Sequence, residues 1–392
     1  MRITALRTYR RQAGNRAWSF CKLETDAGLE GWSEFSDDQF GSHGLKGAVH
    51  ALGAGIVGLD PRRTRHVEAL LHERIREAPG GQNLRAVAVL LNACLDLHAR
   101  SLDVPVYALL GGPVRDDIPV YWSHCGLTRI RMAESGLGEA IRTPDDLEAL
   151  GREVRDRGYH ALKTNLLGFG PDGAYIRTTA APGSLGDPFE RRAVLRDVAA
   201  VIGALRRGAG PDVGIFLDIN YNIREPALLQ ELADVAAEAG LDWLELDTKT
   251  PDLLRRLRAP SGLRIASCET LHGVEEFRPF LQGRLVDVPI IDPVWNGMPE
   301  SVRMADEAAR YRADIVTHNY ASHLMSFMAA HLAAVAPNLS IMELDVEGVP
   351  WRDDVTDTAP QVVDGRMQLP TGPGWGCVPQ QAALDADEQV TR

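Results

Sequence analysis

The chain has 392 residues, a formal net charge of −12, 45% hydrophobic residues and 24% charged residues. That length exceeds one ordinary core and suits a large domain with a companion, while no apolar run approaches the ~18 residues of a membrane span. The acidic balance without a basic tract argues against nucleic-acid binding, and five widely spaced cysteines with no CxxC pair exclude a disulfide framework and a structural zinc site.

Residues 1–36 read as antiparallel strands, with WSFCKLETDAG alternating and Asp26-Ala27-Gly28 as a turn. The N-terminus MRITALRTYRR alternates and has no apolar signal core, so a cytoplasmic location is expected. His43 lies in FGSHG, which reads as a flap over a site. Residues 61–78 and 84–102 read as helices, the first opened by Pro61 and the second apolar on all sides, hence buried. Residues 1–117 are therefore expected to form an α+β capping domain.

From residue 118 the pattern becomes strand–helix alternation. IPVYWS, YHALKTN, VGIFLDI, LDWLEL, LRIAS, LVDVPII, ADIVT and LSIMEL read as eight parallel strands. No GxGxxG follows an early strand, so a (β/α)₈ barrel over residues 118–347 is preferred to an open doubly wound sheet. The remainder, 348–392, carries VVDGRMQLPTGPGWG, read as a hairpin and turn packing back on the cap. Between Lys163 and Asp218 the period doubles, and the Gly/Pro-rich stretch 166–189 reads as a lid or a substrate-contacting loop.

Polar residues recur at the strand ends in phase with this repeat. Asp218, Glu245 and Glu269 stand 27 and 24 residues apart, and Asp292, His318 and Glu343 follow at 23, 26 and 25. One βα unit takes about that length, so all six point at one barrel mouth. Three converging carboxylates repel one another unless a hard cation such as Mg²⁺ joins them. Lys163 and Asn165 in LKTN share a strand face. A lysine there needs an anion, either a substrate carboxylate or a neighbouring strand-end acid. Asp292 beside His318 fixes the imidazole tautomer and raises its basicity, as suits a general base removing a proton α to a carboxylate. His124 in YWSHCG stands at the same barrel end as a candidate substrate contact, whereas His323 and His331 read as packing residues.

With these residues in place, and with AVLLNACLDLHARSLDVPVYALLGG and TGPGWG flanking them, the chain resembles the enolase superfamily in its mandelate racemase and acid-sugar dehydratase branch. The resemblance implies a modified (β/α)₈ barrel under an α+β cap built from both termini. It implies Mg²⁺ on Asp218, Glu245 and Glu269, a His318–Asp292 base dyad, and Lys163 steadying a small-molecule carboxylate. Glu343 would be protonated and donate a hydrogen bond to that carboxylate. Cap segments near residues 14–20 and 36–44, containing Trp18 and His43, would supply specificity, and the protein would be a homo-oligomer, a dimer or an octamer.

Departures from the family pattern bear on the reaction. Asn165 replaces the second lysine of Lys-x-Lys, which in racemases is a base on the opposite face. Glu245-Leu246-Asp247 replaces Glu-Glu-Pro or Glu-Gln-Pro, and no histidine occurs in 166–189. A one-base site favours dehydration of a polyhydroxy acid to a 2-keto-3-deoxy acid, with Asn165 contacting substrate or a water. The alternatives are a racemase, epimerase or cycloisomerase working through the same enolate, and a barrel that has lost catalysis.

Overall fold

The computed structural model describes residues 1–36, 42–177 and 188–392, apart from the side chains of residues 42–43, 188–189 and 387–388. The N-terminal layer is an antiparallel sheet of Ile3–Ala13, Arg16–Thr25 and Glu30–Glu34, joined at its other edge by the C-terminal strand Asp385–Thr391. Gly28 at the expected turn takes φ 74°, open to glycine without strain. At Gly31 a Cβ would meet the Ala93 carbonyl oxygen at 2.4 Å, so the absent side chain lets the strand lie directly on a helix.

That helix, Gly81–Ser101, begins three residues before the expected 84 and is buried from Ala86 to Leu97. Its apolar side chains fill the cap core with Leu45, Val49 and Leu71. Its polar ones fasten three regions together. Asn92 donates to Pro293 O (3.0 Å) and accepts from Met298 N (2.8 Å) on the barrel. Asp96 accepts from Trp32 N (2.8 Å) in the sheet and from Trp375 N (2.9 Å) in the TGPGWG turn. The preceding helix runs Thr64–Arg74, so Pro61 stands outside it. Ser42–Gly53 is a helix that the reading did not contain.

Eight parallel strands close into a barrel: Asp117–Trp122, Ala161–Asn165, Gly214–Asp218, Trp243–Glu245, Arg264–Ser267, Val288–Ile291, Ile315–Thr317 and Leu339–Leu344, numbered here 1 to 8. Strand 8 pairs with strand 1, Met342 opposite Val120. Tyr121, Ala161, Phe216, Trp243, Ala266, Val288, Ile290 and Val316 fill the lumen. Their immediate neighbours Leu162, Leu217, Leu244, Ile265 and Ile291 face the surrounding helices, as period-2 alternation requires.

The tail corrects one expectation. Its hairpin, Val362–Val363 with Arg366–Gln368, adds antiparallel to strand 1 of the barrel rather than to the cap. The Trp375 turn, Gln381 and the terminal strand reach the cap, Gln381 through Tyr9 and Lys22. The segment after strand 2 opens with a hairpin, Leu167–Gly170 and Gly173–Ile176. The rest of the anticipated lid, residues 178–187, lies outside the described residues. Among the described residues no helix is long and apolar enough to cross a membrane.

Candidate active site

Each strand delivers its functional side chain by continuing the inward parity of the lumen. Phe216 leads to Asp218, Trp243 to Glu245, Ala161 to Lys163, Ile290 to Asp292 and Val316 to His318. Strand 5 breaks the rule. Ala266 faces inward, so Cys268 should follow, but Cys268 takes φ 89° and turns outward, which sets Glu269 in the mouth instead. A non-glycine residue there is strained, as backbone at functional sites often is.

One oxygen from each of Asp218, Glu245 and Glu269 lies within 4.8 Å of the others, all three residues being buried. Asn220 donates its backbone N–H to Asp218 Oδ1 (2.7 Å) and its side-chain amide to Oδ2 (2.9 Å). Lys163 donates to Glu245 Oε1 at 2.7 Å, whereas Glu245 Oε2 is buried without a partner. Burial raises the pKa of all three carboxyls, with repulsion from neighbouring carboxyls adding to it. Glu269 is pushed up to about 7. An orphaned carboxylate oxygen among three mutually destabilised acids fits a bound cation. Asp247, the departure noted after strand 4, adds a fourth carboxyl to this wall, likewise raised by burial and by Glu269.

His318 donates from Nδ1 to Asp292 Oδ2 at 2.7 Å, and its Nε2 lies 3.5 Å from Glu269 Oε1. Asp292 is itself held by the N–H groups of Val294 and Trp295 at 2.7 and 2.8 Å. Burial opposes charge on the imidazole, but Glu269 and Asp292 outweigh it and raise its value to about 10. Lys163, 1% exposed, pairs with Glu245 at 2.7 Å and Glu343 at 2.9 Å. The strand-end acids thus supply the anion that its burial demands.

Glu343 corrects the expectation of a protonated donor. Its Oε1 accepts from Ser123 Oγ (2.5 Å) and Lys163, and its Oε2 from Asn319 N (3.1 Å). Burial works against ionisation, yet Lys163 and His318 prevail and hold the group below the usual carboxylate range. Ringed by donors, it is an acceptor.

Lys163, Asp218, Asp247, Glu269 and His318 line a cavity of about 390 Å³ that also takes in Asn165, His124, Tyr320, Tyr221, Thr270, Trp295, Arg131 and Arg85. Asn165 donates to Asp218 Oδ2 at 3.4 Å, and its Oδ1 is buried without a partner. A separate cavity of about 430 Å³, beside Arg129, Glu139 and Glu347, contains none of the converging groups. Trp18 is not in the cavity of the converging groups. It is 1% exposed within the large core, touching only a narrow crevice shared with Arg131 and Tyr320. Its near neighbour Arg16 stacks over Tyr320 (3.6 Å) and pairs with Asp345 at 2.6 Å. His43's side chain lies outside the described residues. His323 pairs with Asp353 (2.7 Å) and His331 accepts from Tyr107 N (3.0 Å), both buried as packing residues.

Residues 146–383 match the enolase C-terminal domain-like family, and residues 4–111 match the mandelate racemase / muconate lactonizing enzyme N-terminal domain. The chain belongs to the enolase superfamily. D-galactarolactone cycloisomerase of Agrobacterium fabrum is 26% identical over 98% of both chains. D-galactonate dehydratase of Ralstonia nicotianae is 27% identical over all of this chain and 93% of the relative. A candidate L-alanine-DL-glutamate epimerase from Burkholderia xenovorans strain LB400, solved with magnesium and fumarate, is 36% identical with a TM-score of 0.90. The match covers 97% of this chain and 95% of that one. Relatives in this superfamily thus include lyases and isomerases.

Several residues of the site escaped the sequence reading. Arg131 was in reach, since it lies on the first helix after strand 1, Leu127–Glu134. Arg85 carries no local signal, because only the docking of the cap helix brings it over the Trp295 ring (4.0 Å).

Proposed function

We propose that this protein is a Mg²⁺-dependent lyase that dehydrates a polyhydroxy acid to a 2-keto-3-deoxy acid. The observation that carries the reading is the convergence of three strand-end carboxylates within 4.8 Å beside a histidine 2.7 Å from its own aspartate. Asp218, Glu245 and Glu269 would hold the cation, and all-oxygen donors favour a hard one. When bound, it supplies positive charge beside the substrate carboxylate, where negative charge builds as the α proton leaves.

Lys163 has three N–H donors and spends two on Glu245 and Glu343, which leaves one for a substrate carboxylate oxygen. Glu343 positions Lys163 in this reading. Asp292 keeps the proton of His318 on Nδ1, so Nε2 is free to take the α proton when neutral. The Cα–H bond breaks and its proton passes to Nε2. The Cβ–O bond then breaks, the departing hydroxide takes that proton and leaves as water, and the resulting enol becomes the keto acid. One histidine acting on one face suffices for both transfers.

Asn165 supports this reading over racemisation, because an amide cannot return a proton to the opposite face. The cycloisomerase and epimerase relatives keep an isomerase as the second reading. A library of aldonic and aldaric acids incubated with enzyme and Mg²⁺ in D₂O separates the two. Keto-acid formation supports dehydration. Deuterated, epimerised acid without loss of water replaces it with isomerisation.

A further inference from the structure

One wall of the cavity carries a group that the dehydration scheme leaves idle. His124 closes strand 1 in the left-handed region, with φ 57°. Neighbouring strands over-determine this conformation: Ser123 N donates to Leu344 O (2.9 Å) and Cys125 N to Lys163 O (2.8 Å). The imidazole stacks on Tyr320, with ring centroids 3.9 Å apart at 26°.

Hydrogen accounting fixes its tautomer. The Lys163 ammonium lies 2.9 Å from Glu343 Oε1 and holds that carboxyl in its ionised form, which has no proton to offer Ser123. The single hydroxyl hydrogen of Ser123 goes to Glu343 Oε1 at 2.5 Å. At its 2.8 Å contact with His124 Nδ1, Ser123 Oγ is left only an accepting role. Nδ1 therefore carries the hydrogen. Burial lowers the affinity of the ring for a second proton, and Lys163, Arg16, Arg131 and His318 around it add to that effect. The ring is neutral and its Nε2 is a bare lone pair. No described residue donates to Nε2, and the ring lines the cavity.

We infer that His124 is a specificity-determining residue, whose Nε2 accepts a hydrogen bond from a hydroxyl or amine of the substrate. The inference rests on the reading of the cavity as a carboxylate-substrate site and adds a requirement to it. Lys163, Arg85 and Arg131 offer donors suited to carboxylates, and His124 offers a neutral acceptor suited to an N–H or O–H. An acid without such a group leaves that lone pair desolvated and unmatched, which binding penalises. In this state His124 has no proton to give a leaving group, so that duty stays with His318.

The test uses the full chain with Mg²⁺ and three probes that differ in hydroxyl count: succinate, malate and tartrate. Calorimetric titration should show the wild type binding a hydroxylated acid about tenfold more tightly than succinate, and His124→Asn should erase about tenfold of that preference. Asparagine tolerates the left-handed backbone and is too short to present an acceptor at the Nε2 position. An unchanged preference in the variant overturns the inference. A second measurement needs no acid. In ¹⁵N-histidine spectra, the signals lost in His124→Asn should be those of a neutral Nδ1–H ring. An Nε2–H ring overturns the inference even if the affinities agree. Failure of all three acids to bind the wild type defeats the carboxylate reading itself, whereas binding without hydroxyl preference defeats only the role of His124.

Discussion

The barrel holds two layers, one residue pair apart, with opposite physics. The lower layer is apolar: Tyr121, Phe216, Trp243, Val288 and Val316 plug the lumen. The upper layer packs Asp218, Glu245, Asp247, Glu269, Asp292 and Glu343 around two residues that carry positive charge, Lys163 and His318, all buried. The lower layer gains by excluding water. The upper layer loses hydration and recovers it only in part, as the upward shifts of Asp218, Glu245, Asp247 and Glu269 record. The comparison shows that the strands below hold these charges in a place their own electrostatics disfavour, and a cation would relieve the misfit.

The largest effect should come from breaking the upper layer where the chemistry sits. His318→Asn should slow α-hydrogen exchange by about 10²–10⁴-fold while fold and metal binding persist, measured by NMR in D₂O alongside circular dichroism. Breaking the lower layer should instead act on stability. Trp243→Ala removes a side chain 1% exposed and should cost about 3–5 kcal/mol, read from denaturant unfolding.

Glu269→Gln sharpens the contrast, because it should move the two properties in opposite directions. Mg²⁺ affinity by calorimetry should fall by about tenfold to a hundredfold or more, the lower range being what disturbing a ligand's support already costs. The metal-free variant should melt no lower than the wild type, since a repelled buried charge is gone.

The pH effect is smaller and follows from the same carboxyl. Glu269 titrates at about 7 in the folded metal-free chain against an ordinary 4.5. Its contribution to metal-free stability is therefore full below about 4.5 and lost as pH rises through about 7. A cation must displace that proton, so the rise in Tm on adding Mg²⁺ should grow between pH 6 and pH 8. A rise that shrinks with pH would contradict the assignment.

These features were legible in the sequence to different degrees. Regular spacing of strand-end polar residues exposed the barrel and the converging acids, because one βα unit has a nearly fixed length. The same spacing brought out Glu269 even though strict alternation would have chosen Cys268, whose turn is a backbone property that no local pattern announces. The helix Ser42–Gly53 was hidden by three glycines and two histidines within it, although Leu45, Val49 and Leu52 keep helical spacing. Trp18 was misplaced because its strand, Arg16–Thr25, turns it into the large core, and no local pattern marks which way a buried aromatic on that strand faces. The charge on Glu343 depends on Ser123, Lys163 and Asn319, three contacts made by three separate segments.

The most direct test of the account is the metal dependence of hydrogen exchange at the carbon next to the carboxylate. A sugar acid that the protein turns over is followed by NMR in D₂O with Mg²⁺, after chelation, and with Glu269→Gln. The account predicts exchange in the first case and its loss in the other two. Exchange that continues at the same rate after chelation, or in the Glu269 variant, would contradict it.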